Sequence, residues 1–168
     1  MSHTPTYKMK FKRRRELSTD YKKRLALLKS GKARLVVRKS NNSATVEAVI
    51  YRKEGDIVKA SFASPSLRKI GWKGHGGNLP SAYLAGYACA KKALKQGVKE
   101  AVLDMGLISP VHGSIPFAAL KGAIDAGLTV PADSTVFPAQ DRCMGKHISE
   151  ETVKNFEEVK SAIDKAFG

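Results

Sequence analysis

Two cysteines, Cys89 and Cys143, are all that the 168 residues contain, and they stand far apart with no CxxC pair. A disulfide-built scaffold or a zinc ribbon needs more than that. The pair reads as buried, inert thiols in a reducing cytoplasm, with a bridge between them left open. No stretch of the chain approaches the roughly 18 to 20 apolar residues of a membrane-spanning helix. The basic N-terminus is not followed by the apolar segment of a secretory signal, so none is expected. Met1 to Arg15 has no amphipathic apolar stripe and no lipidation signal, which argues against an acidic membrane surface as partner. Histidines 3, 75, 112 and 147 lack HxH or HxxxH spacing, and Ser114 and Ser134 lack a G-x-S-x-G context. The glycines at 71, 74, 76 and 77 form neither a Walker loop nor a G-x-G-x-x-G turn after a strand. No metal, cofactor, small-molecule substrate or membrane partner is expected.

Acid is the other scarcity: 15 Asp and Glu stand against 30 Lys and Arg, a formal charge of +15. The excess is not evenly spread. Residues 1–39 hold 14 Lys and Arg against Glu16 and Asp20, a net of +12, while residues 40–168 carry only +3. An even excess could serve solubility alone. A basic arm on a nearly neutral body is suited to a polyanion, because each phosphate it neutralises releases condensed counterions.

The apolar fraction of 42% is ordinary and sufficient for one core. Residues 1–17 lack the periodicity to bury a face, and an arm that orders on its partner is expected there. A first helix should begin near Ser18 to Asp20 and end at Gly31, with Tyr21, Leu25 and Leu28 as its apolar stripe. Strands around Leu35–Val37, Thr45–Tyr51 and Asp56–Phe62 are joined by Ser40-Asn41-Asn42-Ser43 and Glu54-Gly55-Asp56, both with hairpin-turn chemistry. A glycine-rich loop, Gly71 to Asn78, leads into a helix with Pro80 in its first turn and Gly97 at its end. Its Ala82, Ala85, Gly86, Ala88 and Ala90 give a small-residue face able to pack closely on a sheet. A strand over Val98–Asp104, a helix over Pro116–Ala126 and a short strand over Leu128–Val130 follow. Ser149 then caps a last helix carrying Val153, Phe156, Val159, Ile163 and Phe167 at helical spacing.

The fold expected is α/β: a mixed five-stranded sheet, with a three-stranded antiparallel meander and then two crossover strands. Helices cover its faces in a ribonuclease-H-like order of elements, and the basic extension precedes it. Two units are expected, residues 1–31 as arm and first helix, and 32–168 as the body with its C-terminal helix.

That element order invites an enzyme reading, a metal-dependent nuclease built on converging carboxylates. The first strand, however, has no acid, and Glu47, Asp56, Asp104 and Asp125 are scattered over other elements. Asp104 reads better as a turn cap or the partner of a nearby cation. RNA binding uses the available residues more fully. The candidates are Lys8, Lys10, Lys12, Arg13, Arg14 and Arg15 in the arm, with Lys22, Lys23 and Arg24 on the first helix. Arg34, Arg38, Lys39, Ser40, Asn41 and Asn42 lie along the first strand and turn, and Lys69, Trp72, Lys73, His75 and Asn78 in or beside the glycine-rich loop. Cations meet phosphates, amides read base edges or the 2′-hydroxyl, and an aromatic ring stacks on an unpaired base. For Trp72, a place in the core stays an equal alternative at this stage. A free RNA-binding or RNA-chaperone protein is the second binding reading.

Five strings occur in order: Arg34-Leu-Val-Val-Arg-Lys-Ser-Asn41, Gly71-Trp-Lys-Gly, Asn78-Leu-Pro-Ser-Ala-Tyr-Leu84, Glu100-Ala-Val-Leu-Asp-Met-Gly-Leu107 and Gly122-Ala-Ile-Asp-Ala-Gly-Leu128. With them the chain resembles the large-subunit ribosomal protein L-eighteen family in its archaeal form, over nearly its whole length. The resemblance implies a ribonuclease-H-like sheet without a catalytic site, and a structural role in the cytoplasmic ribosome. It implies binding to 5S rRNA and its attachment to the large-subunit rRNA in the central protuberance, beside ribosomal protein L-five. The RNA role it implies falls on Arg34, Arg38, Ser40, Asn41, Trp72 and Asn78, and on the basic arm as a segment.

Overall fold

The computed structural model describes residue 6 and residues 8–168. The expected arm therefore lies partly outside the described residues, as do His3 and Tyr7. One helical turn, α1 (Lys12–Arg15), precedes α2 (Tyr21–Leu28). Asp20 starts α2, its carboxylate accepting from the backbone N–H groups of Lys22 and Lys23. The helix ends before Gly31, which turns the chain at a φ of +66°. No residue of α2 is buried; Tyr21 and Leu25 of the expected stripe are 39% and 58% exposed. The helix is tied to the body by a side-chain ion pair, Arg24 Nη2 to Asp56 Oδ2 at 2.7 Å.

The meander is present as β1 (Ala33–Lys39), β2 (Ala44–Ile50) and β3 (Ile57–Ala63), with β4 (Ala101–Asp104) parallel to β1. Among the described residues the sheet has four strands in the order β3-β2-β1-β4. This corrects the five-stranded expectation. Leu128–Val130 contributes one parallel bridge, Glu100 to Thr129, and goes no further. Gly127 and Pro131 bound the segment, and a proline has no N–H with which to extend a ladder.

The buried alternates Leu35, Val37, Val46, Ala48, Ala60 and Phe62 meet α3 (Leu79–Lys95) and α4 (Ile115–Asp125). The small-residue face of α3 also meets α4. A Cβ on Gly86 would collide with the backbone carbonyl of Ala119, and one on Gly122 with that of Tyr83. These reciprocal glycines let the two helices touch main chain to main chain. After a short helix, α5 (Gln140–Met144), Ser149 accepts from the Thr152 N–H at 3.2 Å and starts α6 (Glu150–Phe167) as expected. α6 packs on α3 through Phe156, Val159 and Ile163, and Phe167 reaches Phe62 with ring centroids 6.1 Å apart.

Helices were expected on both faces of the sheet. Instead, the outward alternates Arg34, Val36, Arg38, Glu47, Val49 and Val58 line an open groove of about 530 Å³. Arg13, Ser18, Asp20, Lys23 and Arg24 form its rim. The chain that could cover this face is the short, polar α2 and its preceding turn, which have too little apolar surface to seal it. Both cysteines are buried and free, so the bridge left open by the sequence is not formed.

Candidate nucleic-acid interface

The β1–β2 turn closes on itself. The Ser40 N–H donates to the Ser43 carbonyl at 2.8 Å, and the Ser43 N–H donates to Ser40 Oγ at 3.1 Å. With the turn satisfied internally, Asn41 and Asn42 are exposed at its tip beside Lys39. The glycine-rich loop packs under that tip. A Cβ on Gly76 would sit 2.7 Å from the Asn42 carbonyl oxygen, and one on Gly77 closer still to that of Asn41. Two segments more than 30 positions apart thus form one surface, and the glycines are what allow their backbones to approach.

Two buried serines fix the joint. Ser64 Oγ accepts from the Ala44 N–H at 2.9 Å and donates to the Gly76 carbonyl at 2.5 Å. Ser81 Oγ donates to the same carbonyl at 2.8 Å. From α6, Asn155 holds the other end of the loop, accepting from the Lys73 N–H at 3.1 Å and donating to the Gly71 carbonyl at 3.0 Å. Sequence reasoning missed Ser64, Ser81 and Asn155, because nothing local marks a serine or asparagine whose partner is distant. Asn78 is occupied as a helix cap, its Oδ1 accepting from the Ser81 N–H at 3.0 Å, which leaves its amide NH₂. His75 Nδ1 accepts from the Gly77 N–H at 3.1 Å, which assigns a neutral ring's proton to Nε2. Lys69, Lys73 and His75 are exposed along the loop.

Two candidates are corrected. Trp72 is only 3% exposed and belongs to the core cluster, its indole N–H turned to the His75 carbonyl at 3.4 Å. A Cβ on Gly74 would lie 2.6 Å from the ring, so the glycine makes room for an indole folded inward. Such a ring has no free face for a base. Arg34 is likewise 3% exposed. Its guanidinium donates to Asp104 Oδ2 at 2.7 Å and to Asp56 Oδ2 at 2.6 Å, so two carboxylates hold it away from any phosphate.

The remaining cations divide into two groups. Arg24 pairs with Asp56 and Arg38 with Glu47, the latter at 2.5 Å. Lys12 sits 4.0 Å from Glu16, and Arg13 donates to Thr19 Oγ1 at 2.9 Å. Among the described residues, no ion pair engages Lys8, Lys10, Arg14, Arg15, Lys22, Lys23, Lys39, Lys69 or Lys73, and each is exposed. Burial would raise the Asp56 carboxyl, but the hydrogen bonds and charges of Arg24 and Arg34 outweigh it and hold the group below the usual carboxylate range.

The acids that a nuclease would need are committed elsewhere. Asp104 accepts from the Gly106 N–H at 3.0 Å besides pairing with Arg34, so it is both turn cap and ion-pair partner. Asp125 accepts from the Tyr83 hydroxyl at 2.5 Å. Among the described residues no group of three or more His, Cys, Asp or Glu could hold a metal ion.

Comparison with known proteins adds two findings. The family model described as ribosomal large subunit proteins 60S L5 and 50S L18 matches residues 5–101. That span takes in most of the arm, the meander, both loops of the composite surface and α3. The large ribosomal subunit protein uL18 of the archaeon Methanothermobacter thermautotrophicus is 47% identical over 150 residues, covering 89% of this chain and 78% of that protein.

Proposed function

The chain belongs to the family of large-subunit ribosomal proteins 60S L5 and 50S L18, in its archaeal form, and from that premise we propose that its target is 5S rRNA. As a member of that family it is a structural constituent of the large subunit in the cytoplasmic ribosome, not an enzyme. Its partners are accordingly rRNA and ribosomal proteins.

The finer reading is that the protein grips 5S rRNA and helps attach it to the large rRNA in the central protuberance, next to ribosomal protein L-five. Residues 1–31 act as an affinity arm, and residues 32–168 as the body that selects the target. Lys8, Lys10, Lys12, Arg13, Arg14, Arg15, Lys22 and Lys23 neutralise phosphates whatever the sequence. Ser40, Asn41, Asn42, His75 and the Asn78 amide read the shape and the base edges of the RNA, with Lys39, Lys69 and Lys73 on the flanking phosphates. Arg24 and Arg38, paired with carboxylates in the free protein, join once phosphates compete for them.

One observation carries this reading: the Asn41-Asn42 tip and the glycine-rich loop meet backbone to backbone through Gly76 and Gly77, so the tip amides and the loop form one joined surface. A rigid donor surface discriminates an RNA shape better than two loops moving independently. The test is a hydroxyl-radical footprint of the purified protein on 5S rRNA, with competition by a structured RNA of equal length. A bounded footprint that an Asn41→Ala/Asn42→Ala variant loses, while non-specific affinity is kept, is the expected result. Equal competition by the unrelated RNA would overturn it.

A further inference from the structure

The stacking role first considered for Trp72 needs an aromatic ring with an open face, and the basic arm supplies one. Phe11 is 79% exposed, and its ring centroid lies 6.3 Å from that of Tyr21 at an interplanar angle of 53°. Neither ring belongs to the hydrophobic core. Tyr21 is the anchored member. It occupies the first turn of α2, which the Asp20 carboxylate caps and the Arg24–Asp56 ion pair fastens to the body. Phe11 leans on it from the N-cap position of α1, so its far face is left to solvent. Lys10 and Lys12 adjoin Phe11, and Lys22 and Lys23 follow Tyr21.

We propose that Phe11, backed by Tyr21, is a stacking platform for an unpaired nucleobase of the bound RNA. The inference deepens the reading of this chain as a 5S rRNA-binding protein and rests on it. Charge selects the occupant. The surrounding segment carries 14 Lys and Arg against two acids through residue 39, and one of those acids, Asp20, is committed to capping α2. A protein segment would need its own acidic residues to lie here, whereas unpaired RNA brings phosphates and flat π faces together. Every base has such a face, so the platform adds affinity at a loop or bulge without reading its identity.

The assay measures affinity for 5S rRNA and for a short unstructured oligonucleotide, with Phe11→Leu, Tyr21→Leu and Phe11→Trp variants of the full chain. Leucine keeps the apolar bulk and removes the π face, and none of the changes alters charge. Phe11→Leu should weaken binding to both RNAs about 5- to 100-fold with the salt slope unchanged. Tyr21→Leu should show a smaller loss, and Phe11→Trp should restore binding with indole fluorescence quenched by the oligonucleotide. Wild-type affinity in Phe11→Leu overturns the proposal. So does intact RNA binding combined with failure to enter large subunits, which would give the pair to a protein neighbour. If the wild-type chain failed to prefer 5S rRNA, the target assignment would fall. The oligonucleotide series would still decide the platform.

Discussion

Among the described residues, Asp56 is the one carboxylate that pairs with both the arm helix and the sheet, so Asp56→Asn separates folding from binding. Two guanidinium groups donate to the same oxygen, Arg34 at 2.6 Å and Arg24 at 2.7 Å. Hydrogen bonds to charged groups contribute about 1.5–3 kcal/mol each. Arg34 keeps Asp104, the asparagine still offers a neutral acceptor, and the Asp56 side chain is 28% exposed, so much of the sum is recovered. A net loss of about 2 kcal/mol remains, lowering Tm by roughly 4–8 °C in a chain of this size. The pH dependence tests the cause. A carboxyl whose folded pKa is depressed stabilises fully above its unfolded value and loses that contribution as pH falls through the folded one. The gap between wild type and variant should therefore be widest above the unfolded carboxylate pKa of about 3.9 and close as the pH falls through the lower folded value. Asp164, also depressed, is present in both proteins and leaves the gap untouched. RNA affinity should hold or rise, because a negative charge is removed while the asparagine oxygen still accepts from Arg24 and keeps α2, with Tyr21, on the body. Urea and thermal melts at several pH values, with a binding titration at pH 7, complete the assay. A variant that melts with wild type at pH 7, or a gap that does not narrow on acidification, refutes the reasoning.

Deleting residues 1–17 should leave the melting curve of the body near wild type, since no described residue of that segment is buried. The same deletion should flatten log K against log[salt] by about 0.7–0.9 per lost phosphate contact for every RNA tested, as a filter-binding series would show. Trp72→Ala should cost about 3–5 kcal/mol in urea unfolding, and the milder Trp72→Phe should leave RNA affinity near wild type. Gly122→Ala sets a methyl against the Tyr83 carbonyl, which belongs to a helix and cannot step aside. A loss of at least about 1–3 kcal/mol is expected, and with Gly86→Ala the sum should be less than additive, because once the helices separate both methyls are accommodated.

Much of the architecture was written locally. The turn chemistry of Ser40 to Ser43, the caps at Asp20 and Ser149, and the alternation of β2 all reported neighbours within a few residues. What the sequence could not report was decided across distance. Arg34 and Arg38 lie four positions apart on the same strand face, yet one is buried and the other exposed. The difference is made by Asp56 and Asp104, which lie 22 and 70 positions from Arg34. Trp72 in a glycine-rich loop reads the same whether its ring turns out or in, until Gly74 is seen to clear the space. The small face of α3 was legible as a close contact, but its partner α4 was not. The last strand failed at Pro131, a breaker whose weight the three-residue run Leu128-Thr129-Val130 concealed.

The two borders of the sheet bear on a different hazard, self-association through unpaired strands. β3, at one border, is interrupted where its register slips opposite Ala48 and Val49, and Lys59 falls at that irregularity. β4, at the other, is four residues long and has the Thr129 segment laid beside its start. Bulges, lysines, short lengths and covering segments all blunt an edge against strand addition. Phe11 and Tyr21 are exposed apolar surface whose cost falls on any molecule not yet bound to RNA. These borders leave such molecules little template on which a second copy could extend the sheet.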